Sequence, residues 1–145
     1  MDVLFFDTSA LVKRYYEEPG TETVDGLIED DRVIAITSLT IIETISAFRR
    51  KYNRENLTGD DVNDLLAAFF EEALEEFAIL PMEESIQQFS FDLILEDDLR
   101  TLDSLQLSAA LSLATEDTEI TFVSADKELA ATARNNGLDA INPDS

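Results

Sequence analysis

Two carboxylic acids follow apolar segments of the sequence that are typical of buried strands. The uninterrupted apolar run Val3 to Phe6 leads directly into Asp7, and the apolar segment Ile120 to Ser124 leads into Asp126. Such runs suit parallel strands that are covered on both faces, and ligands bind beyond the carboxyl ends of strands in open α/β sheets. Each carboxylate is therefore either placed for chemistry or caps the helix that follows it.

Two further acids lie on segments in which the apolar residues have helical spacing. Glu43 is flanked by apolar or small residues, and Asp103 falls in the first turn of its helix, where the helix dipole favours a negative charge. Taken singly, each of the four acids has an ordinary structural explanation. If they converge at one edge of the sheet, their repulsion calls for a divalent cation, and a site made of oxygen ligands suits Mg²⁺ or Mn²⁺.

The amino-acid composition excludes several other kinds of chemistry. The 145 residues include no cysteine and no histidine, which excludes disulfides, thiolate metal sites, histidine general bases and nucleophilic triads. Any metal must therefore be bound by oxygen. The N-terminus lacks a basic leader, and the longest apolar run, LLAAFF, is too short to span a bilayer. We therefore expect a soluble cytoplasmic protein that makes no membrane contact.

The chain is unusually acidic, with 32 acids against 10 bases and a formal charge of -22. Because the Debye length falls to roughly 3 Å at 1 M salt, such a surface is tolerable in a very salty cytoplasm, and a salt-adapted (halophilic) source is favoured. Two competing interpretations are an acidic disordered tail and a mimic of nucleic acid. The first is disfavoured because the acids are spread along amphipathic helices, and the second would need no internal catalytic pattern.

The whole chain alternates between apolar strand segments and segments of helical periodicity. The five predicted strands are Val3 to Phe6, Val33 to Thr37, Ala78 to Leu80, Ile120 to Ser124 and Leu138 to Ile141. This alternation predicts an α/β fold, with a parallel sheet covered by helices on both faces. No linker or repeat interrupts it, so residues 1–145 are expected to form a single domain.

Hydroxyl residues before periodic segments predict where the helices begin. The predicted caps are Thr21, Ser38, Thr58 and Thr101. The first helix is expected to follow Thr8 and Ser9 and to stop at Pro19-Gly20, and the last to run from about Lys127 to Asn136. In the helix after Ser38, four residues have the spacing of a core-facing stripe: Ile41, Ile45, Phe48 and Tyr52.

Four motifs, in order and across nearly the whole chain, carry a resemblance to a known family. They are FFDTSALVKRY, TIIETISAFRR, LRTLDSLQLSAAL and FVSADKELAATARNNGL. Each is weak alone, but together they resemble the PIN-domain ribonucleases, and most closely the VapC-type toxins of type II toxin-antitoxin systems. The resemblance implies a three-layer PIN-like fold around a five-stranded parallel sheet. It also implies Mg²⁺- or Mn²⁺-dependent endonucleolytic cleavage of RNA by a metal-binding quartet, which corresponds here to Asp7, Glu43, Asp103 and Asp126.

The same resemblance implies partners, namely an RNA substrate, a second copy in a homodimer, and a VapB-like antitoxin whose tail occludes the cleft. Within the quartet, Asp7 and Asp103 are the best candidates for direct metal ligands. Ser9 and Ser124 flank the site in sequence as accessory residues that orient water or phosphate, although Ser9 is equally suited to capping a helix. Gln106 departs from the family, which often has His there. The alternative is a catalytically inert PIN-like module that acts by binding RNA or protein only.

Most of the ten basic residues lie close in sequence to the four acids. Cations near a helix C-terminus are favoured by the dipole, which explains the bases that follow Glu43, but not Arg100 or Lys127, which stand at helix starts. We therefore predict a basic rim around the cleft that contacts RNA phosphates through direct hydrogen bonds. Its predicted members are Lys13, Arg14, Arg49, Arg50, Arg100 and Lys127.

Overall fold

The five apolar segments predicted as strands form one parallel sheet in the structure, a computed structural model that describes residues 1–145. The strands are β1 (Asp2–Phe6), β2 (Val33–Thr37), β3 (Phe77–Leu80), β4 (Glu119–Val123) and β5 (Asp139–Ile141). Their order across the sheet is β3-β2-β1-β4-β5, so that Val3 in the central strand lies between Val33 and Ile120. The chain builds outwards from β1 on one side and then returns to the other. The carboxyl edge beside β1 is therefore the switch point at which open α/β sheets bind ligands.

Seven helices cover the two faces of this sheet. They are α1 (Thr8–Leu11), α2 (Thr21–Glu29), α3 (Ser38–Arg54), α4 (Gly59–Glu76), α5 (Glu84–Asp97), α6 (Thr101–Leu113) and α7 (Lys127–Asn135), and a 3₁₀ turn continues α1 over Val12–Arg14. Leu4 and Phe6 point into a core shared with α1 to α4. Val3 and Phe5 point into a second core with α5 to α7, because alternate residues of a strand face opposite sides. The predicted α/β fold, with helices on both faces of a five-stranded parallel sheet, is confirmed.

Aromatic side chains fill both cores. Phe5 stacks on Phe122 on one side of the sheet, with ring centroids 5.7 Å apart. On the other side, Phe48 and Phe69 meet edge to face, with centroids 6.4 Å apart. All four side chains are fully buried, and each such burial stabilises the fold by roughly 1.5–3 kcal/mol. None of the helices has an apolar stretch long enough to cross a lipid bilayer.

Side-chain hydrogen bonds at the N-termini of α3 and α4 test two of the predicted helix starts. Thr58 caps α4 as predicted, and it forms a reciprocal capping box with Asp61. The prediction of Ser38 as a cap is wrong by one residue, because Thr37 at the end of β2 accepts the hydrogen bond from the Thr40 backbone N–H at 3.1 Å. The strand and the helix therefore join without an intervening residue.

The other two predicted caps are also wrong by one residue, since Thr21 and Thr101 are the first residues of their helices. The residue before Thr21 is Gly20, whose φ of 95° is left-handed and favours glycine. The hydroxyl of Thr21 accepts a hydrogen bond from the Glu18 N–H and donates one to the Lys13 carbonyl. Thr21 therefore fixes the loop that follows the 3₁₀ turn. The first helix and this turn end at Arg14, well before the predicted stop at Pro19-Gly20.

The core-facing stripe predicted for α3 is only partly correct. Phe48 is fully buried, but Ile45 is 40% exposed, and Thr40, Thr44 and Ala47 are buried instead. The helix is thus rotated relative to the prediction, since Thr40 belongs to a buried polar network described below. This rotation is what turns Glu43 towards the carboxyl edge of the sheet.

Candidate active site

A pocket of about 310 Å³ opens at the carboxyl edge of the sheet. All four acids singled out in the sequence line it: Asp7, Glu43, Asp103 and Asp126. They arrive from four separate segments, namely the end of β1, the first half of α3, the first turn of α6 and the loop after β4. The parallel topology brings residues more than a hundred positions apart in the chain to a single cleft.

Asp7 both caps a helix and lines the pocket. Its Oδ1 accepts hydrogen bonds from the Ser9 hydroxyl at 2.7 Å and the Ala10 backbone N–H at 3.1 Å, and its Oδ2 accepts one from the Ser124 hydroxyl at 2.6 Å. The residue is only 5% exposed. Burial raises the pKa of Asp7 to about 6, against the opposing effect of these three hydrogen bonds. A buried carboxylate with a raised pKa in a cleft is typical of functional sites.

Ser9 and Ser124 tie the ends of two neighbouring strands together beneath the pocket. Both donate their hydroxyl protons to Asp7, and the Ser124 oxygen also accepts a hydrogen bond from the Asp126 N–H at 3.1 Å. The Ser9 oxygen accepts one from the Ala125 N–H at 3.0 Å. In this arrangement the two serines orient the Asp7 carboxylate, and whether they also orient water or phosphate stays a prediction.

Asp126 is the N-cap of α7. Its Oδ1 accepts hydrogen bonds from the backbone N–H groups of Glu128 and Leu129 at 2.9 and 3.1 Å, whereas its Oδ2 accepts none. The cap fixes the direction of the side chain and leaves one oxygen available to a ligand. Asp126, like Asp7, therefore caps a helix and also lines the pocket.

Glu43 is held by a buried polar network that sequence reasoning missed. Its Oε1 accepts hydrogen bonds from the Thr8 hydroxyl and from Gln106 Nε2, both at 2.9 Å. Gln106 is 2% exposed, and it is fixed in turn by Thr37 at 3.2 Å and Thr40 at 2.7 Å. The second carboxylate oxygen accepts no hydrogen bond from the protein. The signal in the sequence was a glutamine within the apolar segment LQLSAAL, facing threonines that bracket the start of α3.

Asp103 is the acid of the four whose carboxylate oxygens are least engaged by the protein. It is half-buried in the first turn of α6 and accepts no hydrogen bond from any protein group, so both carboxylate oxygens are available. Burial raises the pKa of Asp103, and the negative charges of Asp126 and Glu43 raise it further, with Arg100 opposing them. The charge of Asp103 in turn raises the pKa of Asp7, so all four acids interact electrostatically across the pocket.

The donor chemistry of the pocket fits a hard divalent cation, but its present geometry is open. No group of three or more acidic side chains in the structure is arranged to hold a metal ion. Even so, every donor is oxygen, and Glu43, Asp103 and Asp126 each keep at least one carboxylate oxygen free of hydrogen bonds. Such oxygen sets suit Mg²⁺ and Mn²⁺. Binding would require the side chains to close around the ion.

The structure removes Lys13 from the predicted basic rim. Lys13 is buried, and its ammonium group donates to the Pro19 carbonyl at 2.7 Å. It also pairs with Glu18 at 3.3 Å and Asp144 at 3.1 Å. Every one of these contacts is internal, so Lys13 holds the loop before α2 rather than RNA.

Arg14 is removed from the predicted rim for a similar reason. Its guanidinium binds Glu72 of α4 through two nitrogens at 3.1 and 2.9 Å, and it pairs with Asp25 and Glu29 of α2 at 3.0 and 3.1 Å. The hydrogen bond to Glu72, above all, raises the pKa of Arg14. The bidentate contact and the two further carboxylates leave the side chain with no capacity for RNA.

The remaining members of the predicted rim form no ion pair. Arg50 lines the pocket, and its Nη1 donates to the Ser46 hydroxyl at 2.9 Å. Arg100 and Lys127 are exposed next to Asp103 and Asp126 in sequence. Arg49 does not line the pocket, and its guanidinium lies over the Tyr52 ring at 4.5 Å from the centroid. The part of the rim that the structure supports best is therefore Arg50.

Replacing Asp7 with asparagine should stabilise the metal-free protein at neutral pH. Because the pKa of Asp7 is about 6 in the folded chain, against an ordinary value of 3.8, the folded state binds more protons than the unfolded state between these values. Stability must therefore fall as pH rises through this window. Asp7→Asn removes this loss, which is roughly 2–3 kcal/mol for a shift of this size.

Urea melts in EDTA at about pH 4 and pH 8 measure this effect. We expect Asp7→Asn to unfold at higher urea than the wild type at the higher pH and at nearly the same urea at the lower pH. Asp92→Asn, at an exposed acid outside the pocket, is the matched control and should change stability by less than about 0.5 kcal/mol at either pH. If the wild type and Asp7→Asn are equally stable at both pH values, the ionised Asp7 carboxylate does not destabilise the folded protein, and the prediction is wrong.

The comparisons with known proteins place the chain in a family. The sequence profile of the PIN domain matches residues 4–135. The chain belongs to the PIN-domain family, whose members are nucleases that generally use divalent metal ions. A search of curated protein sequences finds no match.

Solved structures of toxin-antitoxin proteins have a similar fold. VapC20 of Mycobacterium tuberculosis, a toxin that cleaves the sarcin-ricin loop, has a TM-score of 0.68 and 12% identity, covering 89% of this chain and 94% of that one. FitAcB of Neisseria gonorrhoeae has a TM-score of 0.66 and 17% identity, and covers 97% of both chains. A toxin-antitoxin complex from Klebsiella pneumoniae has a TM-score of 0.64 and 18% identity, also covering 97% of both. At these identities the likeness establishes the fold.

Proposed function

We propose that this protein is a Mg²⁺- or Mn²⁺-dependent endoribonuclease, and that it acts in the cytoplasm as the toxin of a toxin-antitoxin pair. The observation that carries the proposal is the convergence of four carboxylates, from four separate segments, on one pocket at the switch point of a PIN-domain fold. Such a cluster of acids is costly in a protein of charge -22 unless it serves to bind a cation.

Asp7 and Asp103 are the proposed direct ligands of the cation, and Glu43 and Asp126 complete the shell directly or through water. When bound, a divalent cation of this kind lowers the pKa of water and offsets negative charge on a phosphate. The protein contributes the positions of its carboxylates. Ser124 donates a hydrogen bond to Asp7, which restricts the rotation of this carboxylate in the pocket.

The chain also supplies groups that bind the RNA backbone. Arg50 reaches the pocket from α3 and is steadied by its hydrogen bond to Ser46. Its planar guanidinium matches a phosphate with two parallel hydrogen bonds, which lysine does not. Arg100 lies close enough to Asp103 to oppose the rise in its pKa, and Lys127 is exposed in the first turn of α7 directly after Asp126. Both are proposed to complete the contact surface.

The proposal is tested by incubating the purified protein with total RNA and Mg²⁺ or Mn²⁺ in high salt, with EDTA as the control. Mapping the new 5′ ends identifies the substrate and the position of the cut in one experiment. We expect discrete cuts that require the metal. RNA that stays intact with either metal, from protein that melts cooperatively, would overturn the proposal.

One observation favours the second candidate, a catalytically inert PIN-like module that acts by binding RNA or protein. The observation is that no three acids are arranged to hold an ion in the structure. The two candidates differ in a simple outcome, since the inert module would retain RNA in a binding assay but release no cleavage products with Mn²⁺ present.

A homodimer and a VapB-like antitoxin belong to the same proposal. Several large apolar side chains are exposed on the helices, among them Ile42 on α3, Leu74 on α4, and Phe91 and Leu95 on α5, the last with 82% of its surface exposed. Phe91 and Leu95 lie four residues apart on α5 and therefore share one face of that helix, and adjacent exposed apolar side chains are typical of surfaces that bind other chains. Light scattering on the isolated chain tests the dimer. Co-purification with the product of the neighbouring gene tests the antitoxin.

Gln106 is proposed to position the Glu43 carboxylate, and replacing it with leucine should weaken metal binding. Gln106→Leu keeps the size of the side chain but removes the N–H groups that contact Glu43 and Thr40. Outer groups of this kind are worth about 10-fold to 100-fold in metal affinity. Calorimetric titration with Mn²⁺ measures the loss directly, apart from any activity.

A second variant separates positioning from a loss of folding. Gln106→His restores an N–H donor, and we expect it to recover part of the Mn²⁺ affinity that Gln106→Leu loses. Thermal melts of both variants check that the buried network still folds. Wild-type Mn²⁺ affinity in Gln106→Leu would show that Glu43 needs no such support.

A further inference from the structure

A second groove lies beside the acidic pocket and is continuous with it. This groove has a volume of about 300 Å³ and shares four lining residues with the pocket: Ser9, Val12, Ala47 and Arg50. From these residues it runs towards the C-terminal end of α3. Because the two depressions share a wall, an extended ligand bound in the pocket can continue into the groove without leaving the surface.

The charge of the lining reverses between the two depressions. Four carboxylates and a single arginine line the pocket. Three bases line the groove, Arg50, Lys51 and Arg54, against two acids, Glu18 and Glu55. Only ten bases exist in the whole chain, so three of them in one groove is a strong local enrichment.

The two arginines of this groove form no ion pair, and the only hydrogen bond from their guanidinium groups to the protein is the one from Arg50 to the Ser46 hydroxyl. Lys51 is committed, because its ammonium group pairs with Glu18 at 2.8 Å and lies over the Tyr16 ring. Neither Arg50 nor Arg54 forms an ion pair. In a chain with 32 acids, an arginine finds a carboxylate easily, as Arg14 does three times over. The free guanidinium groups are therefore available to an anion from outside.

We propose that the groove along the C-terminal half of α3 holds the single-stranded RNA segment on one side of the scissile bond, with Arg54 as a phosphate contact outside the pocket. This inference rests on the proposed endoribonuclease function and extends it from the site of cleavage to the path of the strand. Eleven residues of helix separate Glu43 from Arg54, or about 16 Å. A stacked strand that advances about 3.4 Å per nucleotide covers this distance in about five nucleotides.

The nature of the contact follows from the salt tolerance expected of so acidic a chain. At molar salt the release of counterions drives little binding, so long-range attraction to a basic surface is weak. Direct bidentate hydrogen bonds from guanidinium to phosphate persist because they are short-range and geometric. The acidic pocket itself repels phosphate until a cation is bound, so the groove supplies the first hold on the strand.

The test compares Arg54→Gln with Arg134→Gln in the protein with all four pocket acids intact. Arg134 carries the same charge, forms no ion pair and lies on α7 outside both depressions, which makes it a matched control. The probes are fluorescent oligouridylates of about three and ten nucleotides with cleavage-resistant phosphorothioate linkages, followed by anisotropy in high salt with Mg²⁺. We expect Arg54→Gln to weaken the longer probe about tenfold, the loss of one charge-assisted hydrogen bond, and to leave the shorter probe nearly unchanged.

Other outcomes would overturn the proposal that the groove binds RNA. Equal binding of the longer probe by the two arginine variants would show that Arg54 contacts no phosphate. Equal weakening of the short and long probes by Arg54→Gln would place its effect in the pocket. If the wild-type protein cuts RNA but Arg54→Gln binds like Arg134→Gln, only the groove fails. If the wild-type protein neither binds nor cuts RNA, the proposed function fails and the groove fails with it.

Discussion

Replacing Asp103 with asparagine should lower the rate of RNA cleavage about a thousandfold, because a bound cation supplies several kcal/mol of transition-state stabilisation. Asp103 accepts no hydrogen bond from the protein, so the substitution leaves no buried donor without a partner. It also relieves the repulsion from Asp126 and Glu43 that raises the pKa of Asp103. We therefore expect a folded protein that has lost its activity, and Asp7→Asn should behave in the same way.

Single-turnover cleavage of an RNA that spans the mapped cut, with thermal melts of each variant, measures both parts of this prediction. Asp92→Asn serves as the control, since it removes one charge from an exposed position on α5 outside the pocket. It should cut at the wild-type rate. Wild-type rates in Asp103→Asn, with contaminating nuclease excluded, would remove this residue from the site.

Dilution from molar to millimolar KCl should unfold the protein or lower its melting temperature by tens of degrees. Only six of the 32 acidic side chains are in ion pairs, so most of the negative charge has no internal partner. The Debye length grows from about 3 Å at 1 M salt to about 30 Å at 0.01 M. Repulsion that is local at high salt then acts across the whole domain.

Two controls separate charge screening from other effects of salt. Sucrose strengthens the burial of apolar surface without screening charge, so it should restore less stability than KCl. Neutralising the exposed outer face of α4, with Asp64→Asn, Glu71→Gln and Glu75→Gln together, should lower the KCl concentration at which the protein folds. Thermal melts that do not differ between molar and millimolar KCl would count against salt adaptation.

The strands and the acids that follow them were predictable because the relevant signals are local. The apolar run before Asp7 and the one before Asp126 each specify a buried strand, and parallel strands end at the same edge of the sheet. The positions of both acids in the pocket therefore follow from the topology. Their second role, as helix caps, is equally local, since each bonds backbone N–H groups two or three residues further along.

The network behind Glu43 was not predictable, since its members are far apart in the chain. Gln106 lies 63 residues from Glu43 and 66 from Thr40, and no local pattern links them. The same network explains the wrong stripe on α3. Apolar spacing favoured Ile45 as a core residue, but the buried bonds of Thr40 rotate the helix so that Ile45 faces outwards.

The predicted basic rim failed where closeness in sequence was taken for closeness in space. Lys13 and Arg14 follow Asp7 within two turns of helical chain, yet successive helical residues point about 100° apart. Both side chains turn away from the pocket, towards Asp144 and Glu72 respectively. By contrast Arg50, seven residues after Glu43, lies two turns along the same helix and shares its face.

The most direct test of the central claim measures two quantities over one range of Mn²⁺ concentrations. They are the fraction of protein that has bound Mn²⁺, measured by electron paramagnetic resonance, and the rate of RNA cleavage. If the four carboxylates form a metal-dependent nuclease site, cleavage rises in step with occupancy in the wild type, and Asp103→Asn loses both. Cleavage that is complete before Mn²⁺ binds, or Mn²⁺ binding that Asp103→Asn leaves unchanged, would contradict the claim.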